Sequence, residues 1–173
     1  GFGDAADVSG YSVSEMADHL DATIRALGLK RCILVGHSMT GKVAVVLASR
    51  RPEYLGGLIL VAPSPPGPQP MSEQDRDRQR GYGRTRQEAE NFVDESSAHR
   101  LPDALREVAI ADARQVNLRA RRAWVDHGRR EDWSERIGSL PYPVLLVCGA
   151  ADQQVPGQEA TQLTHLETFP HSR

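Results

Sequence analysis

The fold is decided by one stretch of sequence, CILVGHSMTG at residues 32–41. It opens with an unbroken apolar run, which is the pattern of a parallel strand covered on both faces. The strand should end at Gly36, and the alanines and valines from Met39 to Arg50 favour a buried helix that stops before Pro52. The stretch therefore predicts a strand that turns tightly into a helix, with Ser38 at the junction.

The neighbouring segments predict a parallel sheet. Residues 12–28 begin with Ser12 and Glu15 at capping-box spacing and place apolar residues on one face, which indicates an amphipathic helix. The apolar runs at 58–62 and 144–148 are typical of buried strands. Helices alternating with strands indicate βαβ units, so we expect an α/β fold with a mostly parallel sheet flanked by helices.

A helical insertion interrupts this alternation. The proline-rich residues 63–70, PSPPGPQP, can neither continue a strand nor start a helix. The polar segment that follows predicts no strand but four helices, at 71–80, 84–98, 102–117 and 119–128. We therefore expect a sheet core from residues 1–62 and 142–173, and a helical cap from residues 63–141.

Arginines cluster in this insertion and alternate with acidic residues in its first part. We predict a solvated helix surface of mixed charge, and anion recognition is the alternative. The arginines concerned are Arg76, Arg78, Arg80, Arg84 and Arg86, followed by Arg119, Arg121 and Arg122.

The segment GHSMTG at residues 36–41 resembles the nucleophile elbow of the α/β-hydrolase family. Such a turn lifts a serine above the sheet, so the residues two before and two after it must be small. Gly36 meets this demand, whereas Thr40 puts a β-branched residue in a crowded place and Gly41 follows it. The resemblance implies that Ser38 is a nucleophile; the alternative is an ordinary turn in which Ser38 caps the helix.

The resemblance also assigns roles next to Ser38. The Met39 N–H would be the first oxyanion donor, at the positive end of the following helix. A second donor would come from a His-Gly loop upstream of Gly1. His37 is expected to be a packed structural histidine and not the catalytic base.

The segment Gly149-Ala150-Ala151-Asp152 resembles the family segment that holds the triad acid after a strand. The family order of serine, acid and histidine supports Asp152 in this role, and a turn-forming aspartate is the alternative. Family members carry the histidine after one further strand, and Gln158–Leu166 predicts only the helix before that strand. His165 and His171 come too early, so we expect the histidine to lie beyond this chain.

The opening Gly1-Phe2-Gly3 resembles a glycine-rich loop that follows an early strand of the family, which implies strands upstream. Residues 1–6 also match the dinucleotide pattern G-x-G-x-x-A, but no strand precedes them and no helix follows at once, so we set a Rossmann fold aside. The resemblance covers nearly the whole chain, which we expect to be incomplete at both ends.

The resemblance implies a serine hydrolase of a small carboxylic ester, lactone or thioester. A serine nucleophile argues against the dehalogenases and epoxide hydrolases of the family, which use aspartate, while carbon–carbon bond hydrolases and cofactor-free haloperoxidases remain relatives. A non-catalytic member that binds a ligand or partner is the alternative, for which Thr40 is the best hint. No cofactor or metal is implied, since no His or Cys cluster has ligand spacing.

Composition favours a small-molecule partner. The formal net charge is −2, so no basic field exists to hold a nucleic acid or an anionic membrane. The apolar runs are shorter than the roughly 20 residues that span a bilayer, and no signal-peptide pattern follows Gly1, so we expect a cytoplasmic protein of undetermined oligomeric state. Cys32 and Cys148 lie in apolar runs and are expected to be buried and unbonded.

Overall fold

The computed structural model describes residues 5, 7–81, 85–97 and 99–149. The chain divides into two compact units. The sheet unit combines Ser12–Pro70 with the residues from Gly128 onward, and the helical unit combines Met71–His127 with the residues up to Tyr11.

The sheet unit contains a parallel sheet of three strands in the order β1-β2-β3. Their bounds are β1 Cys32–His37, β2 Leu55–Val61 and β3 Val144–Val147. The register sets Val35 of β1 beside Ile59 of β2, and Ile59 beside Leu145 of β3. The predicted parallel α/β architecture is therefore confirmed.

Two helices of this unit match the sequence prediction. Helix α1, Val13–Ala26, starts with the expected capping box: the Glu15 N–H donates to Ser12 Oγ at 3.2 Å, and the Ser12 N–H donates to Glu15 Oε2 at 3.0 Å. Helix α2, Met39–Ser49, is buried from Gly41 to Ala48 and packs on α1, β1 and β2. Its apolar composition is thus explained by the cover it gives to the sheet.

Within the described residues the strands are covered on one face only, whereas their apolar pattern predicts cover on both faces. Side chains of a strand alternate between its two faces, and the face under α2 buries Leu58 and Leu60. On the other face the exposed fractions of Ile33 and Val35 are 61% and 65%, and Leu145 is also exposed. An apolar run shows that a strand can be buried twice, but it does not show which face receives a cover.

Neither cysteine forms a disulfide, as predicted, but both are half-buried and not buried. Cys32 begins β1 and Cys148 follows β3, so strand β2 separates them. Desolvation raises the pKa of the Cys32 thiol above its ordinary value, which keeps it in the protonated form at neutral pH.

The helical unit contains the four helices that the sequence predicts, and its described residues include no strand. They are α3 Glu73–Gly81, α4 Arg86–Glu95, α5 Asp103–Arg114 and α6 Leu118–Asp126. Helices α4 and α5 enclose a small core of Ala89, Val93, Ile110 and Ala113. Residues 63–70 and 128–141, which the predicted cap includes, group with the sheet unit, together with the short helix α7 at Ser134–Ile137.

Most described arginines of the first cluster are ion-paired with acids of the helical unit. Arg78 pairs with Asp75 and Glu95, and Arg86 pairs with Glu90 and Glu107. These contacts support the mixed-charge interpretation over anion recognition.

Arg121 of the second cluster is buried, which corrects the expectation of a fully solvated cluster. It lies four residues before the buried Val125 on the same face of α6. Across the described residues, no helix is both long and apolar enough to cross a bilayer.

Candidate active site

Ser38 lies at the junction between β1, which ends at His37, and α2, which begins at Met39. Its backbone has φ 50° and ψ −120°, a left-handed conformation that is costly for a residue with a side chain. The Ser38 N–H donates to the Val61 carbonyl at 3.1 Å, so Ser38 also continues the ladder between β1 and β2. The predicted strained junction is confirmed.

The interpretation of Ser38 as a helix cap is wrong. Its side chain makes no capping hydrogen bond to α2 and is exposed. The Ser38 backbone carbonyl instead accepts from the Gly41 N–H at 3.0 Å and from the Ser64 N–H at 2.9 Å. Hydrogen bonds therefore hold the backbone on both sides of Ser38, and the Ser38 hydroxyl takes no part in capping α2.

Two glycines allow this turn because they bring backbones into contact. A Cβ on Gly36 would lie 2.7 Å from the Gly41 Cα and 2.8 Å from the Thr40 carbonyl oxygen. A Cβ on Gly41 would lie 2.5 Å from the Pro63 Cβ. Both separations are shorter than real Cβ contacts allow, so the turn needs glycine at each position.

The expectation that Thr40 occupies a crowded place is wrong, because its side chain is exposed and the crowding falls on Gly41. The Thr40 hydroxyl accepts from the His37 N–H at 2.9 Å and donates to the His37 carbonyl at 2.8 Å. His37 is itself exposed, which corrects the expectation of a packed histidine. It lies on the same sheet face as the exposed Ile33 and Val35.

Met39 is the first residue of α2 and is half-buried. Its backbone N–H belongs to the first turn of the helix, where N–H groups have no partner within the helix and the dipole is positive. The predicted role of this N–H as an oxyanion donor stays a prediction.

The sequence did not predict that Lys42, a residue of α2 near Ser38, is buried. Lys42 is fully buried, and its ammonium donates to the backbone carbonyls of Gly67 at 3.0 Å and Glu131 at 2.5 Å. Burial lowers the pKa of Lys42 to about 8, against the opposing effect of the Glu131 and Asp132 carboxylates. The sequence feature that could have indicated this burial is that Lys42 is a single charged residue within an otherwise apolar helix.

Lys42 joins the two segments that lead into and out of residues 71–127. Backbone hydrogen bonds reinforce the junction, from the Gln69 N–H to the Arg129 carbonyl at 2.8 Å and from the Trp133 N–H to the Pro66 carbonyl at 3.1 Å. The whole arrangement lies within the sheet unit.

The Glu131 side chain ties this junction to α1. Its carboxylate accepts from the Val13 N–H at 2.9 Å, in the first turn of α1, and from the Trp133 indole N–H at 2.9 Å. Glu131 is distant in sequence from Val13 and matches no motif, so the sequence alone offers no sign of this contact.

Asp152, His165, His171 and the Gly1-Phe2-Gly3 segment lie outside the described residues. Strand β3 ends at Val147, which pairs with Val61 of β2, and Val61 pairs with His37 of β1. Because the strands are parallel, β3 ends at the same edge of the sheet as Ser38. The assignment of Asp152 as triad acid stays a prediction, and within the described ranges no metal-binding cluster of His, Cys, Asp and Glu occurs.

The chain is similar in sequence to proteins that are named as a hydrolase and as a lipase. RutD of Klebsiella pneumoniae subsp. pneumoniae, provisionally named a carbamate hydrolase, is 30% identical over 158 residues, which cover 86% of this chain and 58% of RutD. The mouse sn-1-specific diacylglycerol lipase ABHD11 is 41% identical over 59 residues, 34% of this chain and 19% of that protein. The chain thus spans less than two thirds of these relatives.

Solved structures share the fold. An esterase from Exiguobacterium antarcticum superposes with a TM-score of 0.82 at 21% identity, covering 100% of this chain and 68% of the esterase. A bromoperoxidase from Bacillus anthracis gives a TM-score of 0.78 at 19% identity, covering 99% of this chain and 68% of that one. The profile of the Alpha/beta hydrolase family matches residues 1–172, and the chain belongs to this family.

Proposed function

We propose that this protein is a serine hydrolase whose nucleophile is Ser38 and whose substrate is a small carboxylic ester, lactone or thioester. One observation carries the proposal: Ser38 has a strained backbone between a parallel strand and a buried helix, and its exposed hydroxyl does not cap that helix. A strain of about 1–3 kcal/mol persists only where the surrounding structure holds it, and such strain is typical of functional sites.

The proposed reaction is acyl transfer through a covalent intermediate. Ser38 Oγ attacks the carbonyl carbon while a histidine takes its proton, and the same histidine then protonates the leaving group, which departs and leaves the acyl group on Ser38. A water molecule, deprotonated by this histidine, attacks the acyl group, and the histidine returns the proton to Ser38 Oγ as the acid product leaves. Asp152 holds and stabilises the imidazolium. The described residues do not identify the histidine, and the route needs neither metal nor cofactor.

The N-terminus of α2 would stabilise the charge that develops on the substrate oxygen. The Met39 N–H is the proposed first donor, and a donor of this kind is worth about 10²–10³ in turnover. The hydrogen bonds of the Ser38 carbonyl to Gly41 and Ser64 hold the first turn of the helix in place before substrate binds. Such preorganisation is what makes oxyanion donors effective.

Carbamate hydrolysis is a second candidate, favoured by the similarity to RutD along 86% of this chain. A carbamate is also attacked at a carbonyl carbon, so the same nucleophile and oxyanion donors serve both reactions. Carbon–carbon bond hydrolysis and haloperoxidase chemistry rest on fold similarity alone. A non-catalytic binding protein is the remaining alternative.

Labelling with a fluorophosphonate probe tests the proposal on the intact protein. The probe should react with the wild type and fail to react with Ser38→Ala. Ser72→Ala is the matched control, because Ser72 is an exposed serine that caps α3 by accepting from the Asp75 N–H. Absence of labelling in the wild type would favour the non-catalytic alternative, and labelling that persists in Ser38→Ala would exclude Ser38 as the nucleophile.

A substrate panel then separates the ester and carbamate candidates. An acetate ester, a thioester, a lactone and a carbamate of similar size should be compared by kcat/KM, with Ser38→Ala as the blank for each. The candidate with the largest Ser38-dependent kcat/KM identifies the substrate class.

A further inference from the structure

The backbone groups of His37 point away from β2. In a parallel ladder, successive residues of a strand direct their N–H and C=O groups to opposite sides. The Ser38 N–H points to β2, where it donates to Val61, so both backbone groups of His37 point away from β2. Strand β1 is an edge strand of the described sheet.

The hydroxyl of Thr40 pairs with both of these groups. It accepts from the His37 N–H at 2.9 Å and donates to the His37 carbonyl at 2.8 Å. Glycine, the residue usual at this place in a nucleophile elbow, has no group that could do this. The departure from the motif therefore adds a contact and does not merely add bulk.

These contacts hold the peptide that joins His37 to Ser38 from two sides. Its carbonyl is bound by the Thr40 hydroxyl, and its N–H is bound by the Val61 carbonyl at 3.1 Å. The next peptide is held as well, because the Ser38 carbonyl accepts two N–H groups. The φ and ψ angles of Ser38 are the two rotations between these peptides, so the contacts hold them at their strained values of 50° and −120°.

We infer that Thr40 is a positioning residue, whose hydroxyl locks the peptide before Ser38 and so fixes the direction of the nucleophile. The inference rests on the proposed function, because a direction matters only if Ser38 attacks a substrate. Small misplacements of a reacting group reduce rates strongly, so removal of the Thr40 hydroxyl should lower the rate at which Ser38 reacts.

The test compares hydroxyl removal at two threonines in the intact protein. Thr40→Val keeps the branched shape and removes the hydroxyl, and Thr40→Ser restores a hydroxyl. Thr23→Val is the matched control, since the Thr23 hydroxyl also donates to a backbone carbonyl, that of His19 at 2.8 Å on the exposed face of α1.

We expect Thr40→Val to lower the rate of fluorophosphonate labelling about tenfold, as for the loss of one or two ordinary hydrogen bonds. Thr40→Ser should recover most of the rate, and Thr23→Val should match the wild type. With an ester substrate, kcat should fall while KM stays near its wild-type value, because the hydroxyl holds the backbone and does not bind substrate.

Hydrogen exchange of the His37 amide measures whether the Thr40 hydroxyl holds the His37 N–H, and this measurement does not depend on catalysis. The amide should exchange roughly tenfold faster in Thr40→Val than in the wild type or Thr40→Ser. Thr40→Gly, which restores the usual motif, should react no faster than Thr40→Val.

Each outcome decides a separate point. Labelling of Thr40→Val at the wild-type rate, or of Thr40→Gly above it, would overturn the inference. If Thr40→Val unfolds, a Thr40→Ser variant that folds but labels as poorly as Ser38→Ala would overturn it as well. If the wild type shows no Ser38-dependent labelling, the proposed function fails and the catalytic role of Thr40 fails with it, whereas His37 exchange still decides whether the hydroxyl holds the backbone of His37.

Discussion

Gly41 lies against Pro63 so closely that a Cβ on Gly41 would come within 2.5 Å of the Pro63 Cβ. Helix α2 and the segment leaving β2 therefore meet with Pro63 packed directly against the backbone of Gly41. This contact sets how near the start of α2 lies to the carboxyl end of the sheet, where Ser38 is presented.

Gly41→Ala should destabilise the sheet unit because the added methyl group must push α2 away from Pro63. Overpacking of this kind costs about 1–3 kcal/mol in the free energy of unfolding, which urea denaturation would measure. Gly81→Ala is the control: a Cβ there meets nothing within 4 Å, so the free energy should stay unchanged or rise slightly. Equal effects of the two substitutions would contradict the close contact.

Lys42 should make stability depend on pH above neutrality. Its pKa is about 8 in the folded chain, below its ordinary value of 10.5. Between these values the unfolded chain binds more protons, so this group makes the folded state more stable as pH rises. Below about pH 8 the lysine is protonated in both states and contributes no slope.

The measurement compares the wild type with Lys42→Met by urea denaturation from pH 7 to 10. The difference in the free energy of unfolding should move in favour of the wild type by about 1 kcal/mol per pH unit above pH 8. A neutral amine still has N–H donors for the carbonyls of Gly67 and Glu131, so the junction survives deprotonation. A constant difference across this range would show that Lys42 is solvated.

Glu131→Ala should destabilise the fold by about 1–3 kcal/mol, because the half-buried N–H groups of Val13 and Trp133 lose their acceptor. Glu131→Gln keeps one acceptor oxygen and should fall between the wild type and Glu131→Ala. Glu135→Ala removes an exposed carboxylate from the neighbouring helix α7 and serves as the control. Thermal unfolding followed by circular dichroism would rank the variants, and a Glu131→Ala variant as stable as Glu135→Ala would refute this role.

The parts of the fold that depend on local sequence were predictable. The capping box of Ser12 and Glu15 fixes the start of α1 within one turn, and Gly36 and Ser38 fix the strand-to-helix junction within a few residues. The four helices of the insertion follow from polar sequence bounded by turn residues. In each case the deciding contacts join residues close together in the chain.

The features that escaped prediction depend on residues far apart in the chain. Lys42 is buried because Gly67 and Glu131 offer carbonyls to it, and Glu131 lies 89 positions further along the chain. Similarly, whether Ile33 is covered depends on which elements pack on its face of the sheet, and its apolar neighbours in sequence do not decide that. Asp152 lies outside the described residues and stays a prediction.

Because Lys42 holds Gly67 and Glu131 together, the two ends of the segment between them lie close to each other within the sheet unit. A loop whose ends are already closed can be lengthened or shortened at little further entropic cost, since that cost grows only slowly with length. A change in the length of the 71–127 segment should therefore cost little in the free energy of folding, provided that Lys42 holds the junction.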